Sequence, residues 1–256
     1  MKNLLKTSKL GHGFVVTGAE SGVNFEYIYN NRPRGSFIVG HLVDKALLSL
    51  PTTQATRRRK DDIRTAIWNE IQNNKYLGKK TRVLDLASGC ARYIRELSDE
   101  HRSGDVESIC IDKDLNCVRL GEDLSTKEGI PNIRFMKGDI FRLNRLVGFG
   151  LKLSWIPNVI IASGLFMYFN KEKVEEMLSE IYRFLPNEGL LVFSSYEKVV
   201  QRKLMRKTMA TSTGEEWIIY CRKPEQVREI LYRAGYKQIF ITRDPWQMFN
   251  ICSARK

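Results

Sequence analysis

The chain has 256 residues, 43% of them hydrophobic, and a formal net charge of +13. That length builds one good-sized core with room for an appended lobe. No run of 18 or more apolar residues occurs, which excludes a helical membrane span, and the start, MKNLLKTSKLGHG, lacks the apolar segment and cleavage site of a signal peptide.

Five scattered cysteines (90, 110, 117, 221, 252), none in a C-x-x-C pair, read as thiols in a reducing compartment, so a cytoplasmic location is expected. Residues 1–80 hold 14 Lys/Arg against 6 Asp/Glu, so most of the positive surplus lies in the first third. Such a surplus favours anionic partners: phosphate-bearing or other acidic small molecules, acidic lipid, or nucleic acid. It does not choose among them.

The first 80 residues read as a basic, mainly helical N-terminal lobe. FEYIYNNRPRGS (25–36) is rich in Gly, Asn and Arg, and two helices are expected after it. Tyr27 and Tyr29, at i and i+2, suit one face of a short strand or a lid over a ligand. Arg32, Arg34 and the run Arg57–Lys60, with Arg58 in it, form the expected substrate side, because arginine forks suit phosphate and carboxylate. His41 is expected as a core or cap residue at a helix start; His12 and His101, in polar surroundings, are expected at the surface.

From about residue 81 short β-branched runs alternate with helical patterns. Strands are predicted at 82–86, 108–111, 132–136, 158–162 and 190–194. Helices are predicted at 90–101, 115–127 and 171–184, the last with Asn170 as N-cap. Such alternation argues for a parallel sheet covered by helices on both faces. After an insertion at 196–222, the helix 223–234 has Pro224 in its first turn and Gly235 just past its end. Two extended runs, 237–242 and 247–253, follow too closely for a helical crossover, so they pair as an antiparallel hairpin. The fold class expected is α/β: a Rossmann-like, doubly wound, mostly parallel seven-stranded sheet ending in that hairpin, over residues 81–256.

The stretch VLDLASGCARY (83–93) places a small-residue turn, Ala87-Ser88-Gly89-Cys90-Ala91, after the first strand. Ligands of open α/β sheets bind beyond the carboxyl ends of strands, and this turn is the usual contact. Asp112 ends the second strand 23 residues after Gly89. An acid about 20 residues past the glycines is placed to accept from ribose hydroxyls. Lys137-Gly138-Asp139-Ile140-Phe141 follows the third strand. There an Asp can accept from an exocyclic amine, a backbone N–H can donate to a ring nitrogen, and Ile140 or Phe141 can cover a base. Turn, ribose acceptor and base acceptor follow in the order an adenosine site needs.

Residues 82–256 resemble a class I S-adenosylmethionine (SAM)-dependent methyltransferase. The family's acidic-x-Gly-x-Gly-x-Gly turn corresponds to Asp85-Leu86-Ala87-Ser88-Gly89-Cys90-Ala91, with alanine at two of its three glycines. Asp112, with Lys113 beside it, matches the ribose-binding acid; Gly138-Asp139-Ile140 matches the adenine-edge residues. Ala162-Ser163-Gly164-Leu165-Phe166-Met167-Tyr168-Phe169 resembles the loop after the fourth strand, and Leu185-Pro186-Asn187-Glu188-Gly189 the turn before the fifth. A narrower resemblance over nearly the whole chain, through FEYIYNNRPRG, TRRRKDDI, LDLASGCARY and EEWIIYCRKPEQVREILYRAGYKQ, is to a group of bacterial methyltransferases. Some of these carry an additional α/β-hydrolase-like domain. The resemblance implies SAM as cofactor, held by Asp85, Ala87, Ser88, Gly89, Asp112, Lys113, Gly138, Asp139, Ile140, Ser163 and Gly164. Tyr168 becomes the candidate that orients a nucleophile or faces the sulfonium.

Methyl transfer from a sulfonium is an in-line displacement in which the protein supplies position and exclusion of water. A general base is needed only for a protonated acceptor. The expected activity is methyl transfer to a small or lipid-like anionic acceptor. The insertion, with Lys198, Arg202, Lys203, Arg206 and Lys207 and then Trp217 and Tyr220, adds to the acceptor side. A nucleic-acid (RNA) methyltransferase is the alternative, although no aromatic single-strand platform, RNA-binding module or Asn-Pro-Pro-Tyr type tetrad is visible. An NAD(P)-binding oxidoreductase or a non-catalytic nucleotide-binding module is the third. No Walker loop, HExxH or G-x-S-x-G occurs, which removes the commonest ATPase, metalloprotease and hydrolase readings. Oligomeric state is not readable.

Overall fold

The computed structural model describes residues 6–18, 21–142, 155–198 and 218–256. Seven strands form one sheet: β1 (Thr81–Leu86), β2 (Val106–Asp112), β3 (Ile133–Lys137), β4 (Val159–Ala162), β5 (Leu190–Tyr196), β6 (Lys237–Arg243) and β7 (Phe249–Arg255). Their order is β3-β2-β1-β4-β5-β7-β6. The first five run parallel, while β7 is antiparallel to both β5 and β6, so the expected parallel sheet finished by a hairpin is the fold found. The switch in strand order falls between β1 and β4, where their carboxyl ends open a crevice.

Alternation along each buried strand makes two cores. Val83, Cys110, Val159, Ile161, Val192 and Ile251 face one side; Leu84, Leu86, Ile109, Ile111, Ile160, Leu191 and Phe193 face the other. The second face is covered by two amphipathic helices further along the chain. Lys171–Phe184 buries Val174, Met177, Leu178 and Ile181 and is capped by the Asn170 side chain on the Lys173 N–H, as expected. Pro224–Arg233 buries Val227, Ile230 and Leu231.

The N-terminal region contains α1 (Lys9–Val16), α2 (Gly22–Asn30), α3 (Phe37–Leu48) and α4 (Pro51–Tyr76). Its helices pack in two places. Leu10, Ile28 and Leu48 of the first three helices form a small cluster of their own. α4 instead inserts Ile63, Ile67 and Ile71 into the sheet's first core. Asp44, fully buried, staples the three small helices: it accepts from Ser8 Oγ (2.5 Å), the Leu10 N–H (3.1 Å), the Arg34 N–H (2.9 Å) and the Tyr27 hydroxyl. Four donors hold its carboxyl below the usual range against the opposing effect of burial.

Four local expectations are corrected. The helix predicted at 90–101 is two short ones, α5 (Arg92–Arg95) and α6 (Ser98–Arg102). The break at Leu97, whose φ and ψ of −97° and 38° leave the helical region, lets both Leu97 and His101 turn inward. His101 is therefore not at the surface. It is fully buried, with Nδ1 2.8 Å from the Leu97 carbonyl and Nε2 2.9 Å from Ser108 Oγ. His41 is neither core nor cap but exposed on α3. Tyr27 and Tyr29 lie on a helix, not a strand, so two residues of separation turn them about 200° apart.

Candidate active site

The turn after β1 runs through the left-handed region three times, at Ala87 (φ 55°), Gly89 (φ 56°) and Ala91 (φ 50°). These are the three positions at which the resembled motif carries glycine. The turn's backbone is tied to the end of β2. The Ser88 N–H donates to the Ile111 carbonyl at 3.0 Å and the Gly89 N–H to Asp112 Oδ2 at 2.7 Å. Asp112 Oδ1 accepts the Asp114 N–H at 2.8 Å, and the Asp112 carbonyl accepts the Gly138 N–H at 2.9 Å. The ends of β1, β2 and β3 are thus one hydrogen-bonded unit centred on Asp112. Burial raises the Asp112 carboxyl above its ordinary pKa, while the Asp114 and Gly89 N–H groups pull it back. Each of its oxygens still has accepting capacity after these bonds.

Around that unit, Gly138 and Ile140 are half-buried; Asp139 and Lys113 are exposed, and Asp139 Oδ1 accepts the Phe141 N–H at 3.0 Å. Asp85 is not at the mouth of the crevice. It is fully buried beneath the turn, with both carboxylate oxygens 2.8 Å from the Tyr93 hydroxyl. At the end of β4 the Gly164 N–H donates to Ser194 Oγ (2.8 Å), and Ser163 Oγ is buried without a hydrogen-bond partner. These features fit an adenosine-type cofactor: a ribose acceptor fixed by its own backbone bonds, a backbone edge after β3, and an orphaned hydroxyl at β4.

α2 lies over the β1 turn. Its Glu26 accepts from Arg92 Nη1 and Arg95 Nη2, both at 2.8 Å, and so clamps the N-terminal helices to the core. The two tyrosines part company here. Tyr27 joins Asp44 and the Arg34 N–H, inside the lobe, whereas the Tyr29 hydroxyl accepts from Arg59 at 3.3 Å. Arg32 and Arg34 are exposed. Arg58 pairs with Asp62 (2.8 Å) on the exposed side of α4, its side chain 56% exposed.

The inward residue of that run is Arg59, which reading the run as a basic patch did not separate. Its signal was in the spacing: Arg59, Ile63, Ile67 and Ile71 recur every four residues and form one row on α4. Arg59 reaches the β4 loop, where a Cβ built on Gly164 would sit 3.0 Å from its Nη1. Tyr168, half-buried in the short helical turn Phe166–Tyr168, packs against the same core. That turn is held from behind by the Tyr220 N–H on the Met167 carbonyl (2.8 Å) and by Arg222 on the carbonyls of Phe166 (3.0 Å) and Phe169. Lys198 is exposed; Arg202, Lys203, Arg206, Lys207 and Trp217 lie outside the described residues. Among the described residues no group of His, Cys, Asp and Glu is arranged to hold a metal ion, and no helix is long and apolar enough to cross a membrane.

Comparisons with known proteins agree with this fold. The protein of Escherichia coli K12 described as "Uncharacterized protein YnbC" is 26% identical over 242 residues, which is 93% of this chain but 40% of that protein, so the chain spans less than half its relative's length. A structure from Bordetella parapertussis, described as a "possible exported protein", superposes with a TM-score of 0.75 at 17% identity, over 99% of this chain and 85% of that one. Magnesium protoporphyrin IX methyltransferase of Synechocystis PCC 6803, with bound S-adenosylhomocysteine (SAH), gives 0.61 at 13% identity, over 91% and 94%. A family described as "Putative methyltransferase" matches residues 2–256. The chain belongs to that methyltransferase family.

Proposed function

We propose that the protein transfers a methyl group from SAM to a small or lipid-like anionic acceptor. The observation that carries this is the single unit in which Asp112 accepts the Gly89 N–H of the β1 turn while its own carbonyl takes the Gly138 N–H from the end of β3. SAM, when bound, supplies a methyl group on a sulfonium as the electrophile.

In this reading Asp112 accepts the ribose hydroxyls, with Ala87, Ser88 and Gly89 beside it. Gly138, Asp139 and Ile140 take the adenine edge. Ser163 and Gly164 line the passage toward the acceptor, and Tyr168 orients the nucleophile. Asp85 supports the turn from below, and Lys113 contributes charge at the rim. The acceptor enters beneath α2 and the residues after the insertion, and the basic N-terminal surface draws an anion toward it. No histidine is placed to take a proton: His12 and His41 are exposed, and His101 is buried with both ring nitrogens engaged. Rate enhancement then rests on orientation and exclusion of water. The scattered cysteines, none in a C-x-x-C pair, suit the cytoplasm.

Calorimetric titration with SAM, SAH and NAD tests the reading. SAM and SAH are expected to bind the wild type and NAD is not. Asp112→Ala is expected to weaken SAM and SAH by more than tenfold, because buried acceptors on a charged group are worth roughly 1.5–3 kcal/mol. Equal affinity in both proteins overturns the role of Asp112; a preference for NAD overturns the activity.

A further inference from the structure

Arg59 is 2% exposed, yet no carboxylate of the described residues pairs with it. Its Nη2 donates to the Tyr29 hydroxyl, and its Nε has no partner. The guanidinium carbon lies 4.7 Å from the Phe249 ring centroid and 5.3 Å from that of Phe25. The other well-buried guanidiniums are matched. Arg95 meets Glu26, Glu128 and the Cys90 carbonyl, and Arg222 meets two carbonyls. The two ring faces offset part of the cost of taking this ion out of water. Buried charges are as a rule also paired and hydrogen-bonded. Arg59 is therefore a charge with hydrogen-bonding capacity to spare.

Its surroundings say which side of the crevice it serves. Gly164 follows β4, Phe249 begins β7, and the Tyr196 ring at the end of β5 lies 4.2 Å from that of Phe249. None of these is on β1, β2 or β3, whose ends make the nucleoside unit around Asp112. With rings near its faces, the guanidinium offers its N–H edge, and a planar carboxylate is the anion that meets such an edge with two parallel hydrogen bonds.

Resting on the methyltransferase reading, we infer that Arg59 is the receptor for a carboxylate of the methyl acceptor, held edge-on between Phe25, Tyr29 and Phe249 at the β4–β5–β7 side of the crevice. The acceptor class is then an organic acid whose carboxylate is an anchor, with apolar or aromatic surface beside it.

The test titrates the full chain, with and without saturating SAH, with benzoate and with its neutral counterpart benzamide, in wild type, Arg59→Gln and Arg59→Lys. Benzoate is expected to bind the wild type at least tenfold more tightly than benzamide. Arg59→Gln should abolish the preference and Arg59→Lys retain part of it, with SAH affinity unchanged within twofold in all three. Thermal melts check folding; Arg59→Gln removes an unmatched buried charge and should melt no lower than wild type, and Arg59→Lys decides the matter if it does. No preference for benzoate in the wild type, or the same preference in Arg59→Gln, overturns the inference. A tenfold loss of SAH affinity in Arg59→Gln, with 5′-methylthioadenosine binding unchanged, assigns Arg59 to the donor's carboxylate and also overturns it. Failure of the wild type to bind SAH sinks the methyltransferase reading instead, and the titrations without SAH still decide the carboxylate preference.

Discussion

Gly22 lies with its backbone directly against Gly89: a Cβ built on Gly22 would come within 2.6 Å of the Gly89 Cα and 2.8 Å of Cys117 Sγ. The small residues of the β1 turn thus answer to a second backbone, the start of α2, as well as to any ligand.

The nearer neighbour of that Cβ is backbone and cannot rotate away, so Gly22→Ala must push α2 off the turn. Overpacking of this kind costs roughly 1–3 kcal/mol. The shift would also disturb Glu26, one turn further along, where it meets Arg92 and Arg95. Urea denaturation should show stability lowered by about that amount. An unchanged midpoint would mean that the N-terminal helices are not seated on Gly89.

The two alanines of the turn make a finer prediction. A residue with a Cβ in the left-handed region costs roughly 1–2 kcal/mol relative to glycine, and glycine gives back about 0.4–1 kcal/mol through the unfolded chain. Ala87 is half-exposed, so Ala87→Gly should stabilise by about 0.5–1 kcal/mol, the difference of these two effects. Ala91 is 1% exposed, and its methyl packs in the first core. Losing it forfeits about 0.8 kcal/mol of burial, so Ala91→Gly should be near neutral. Equal effects at the two positions in thermal melts would contradict this account.

The strands and the closing hairpin were legible because the period changes sharply along the chain. β4 and the first four residues of β5 are continuous apolar runs, β1 and β2 carry apolar residues at most of their inner positions, and Leu115–Lys127 and Lys171–Phe184 carry clear helical spacing that matches the structure residue for residue. Residues 1–80 were read less well. Composition marked them as basic, but charge counts do not carry helix phase. Arg58 and Arg59 are equivalent in composition and about 100° apart on α4, so one is solvated and the other buried. His101 was misplaced for a related reason. DEHRSGD looks solvated, and only the break at Leu97 and the hydroxyl of Ser108 on β2, seven residues away, make its burial affordable.

Asp85 carries the last prediction. It is fully buried on the first face of the sheet, and burial raises its pKa well above the ordinary carboxylate range. The Tyr93 hydroxyl opposes this by donating to it, and the nearby Asp112 charge adds to the rise. A carboxyl whose pKa is higher in the folded than in the unfolded chain binds its proton more tightly when folded. Its contribution is fully present below about pH 3.9, the unfolded value, and is lost as pH rises toward and through the folded value. Asp85→Asn keeps an oxygen to accept from Tyr93 but cannot ionise. Melting temperatures of wild type and Asp85→Asn, measured from pH 4 to pH 9, should therefore diverge, with the variant gaining relative to wild type as pH rises. His101 does not confound the comparison, because its lowered pKa acts identically in both proteins. Parallel curves across the range would mean that Asp85 stays ionised beneath the turn and that the Tyr93 hydroxyl alone is enough to hold its charge there.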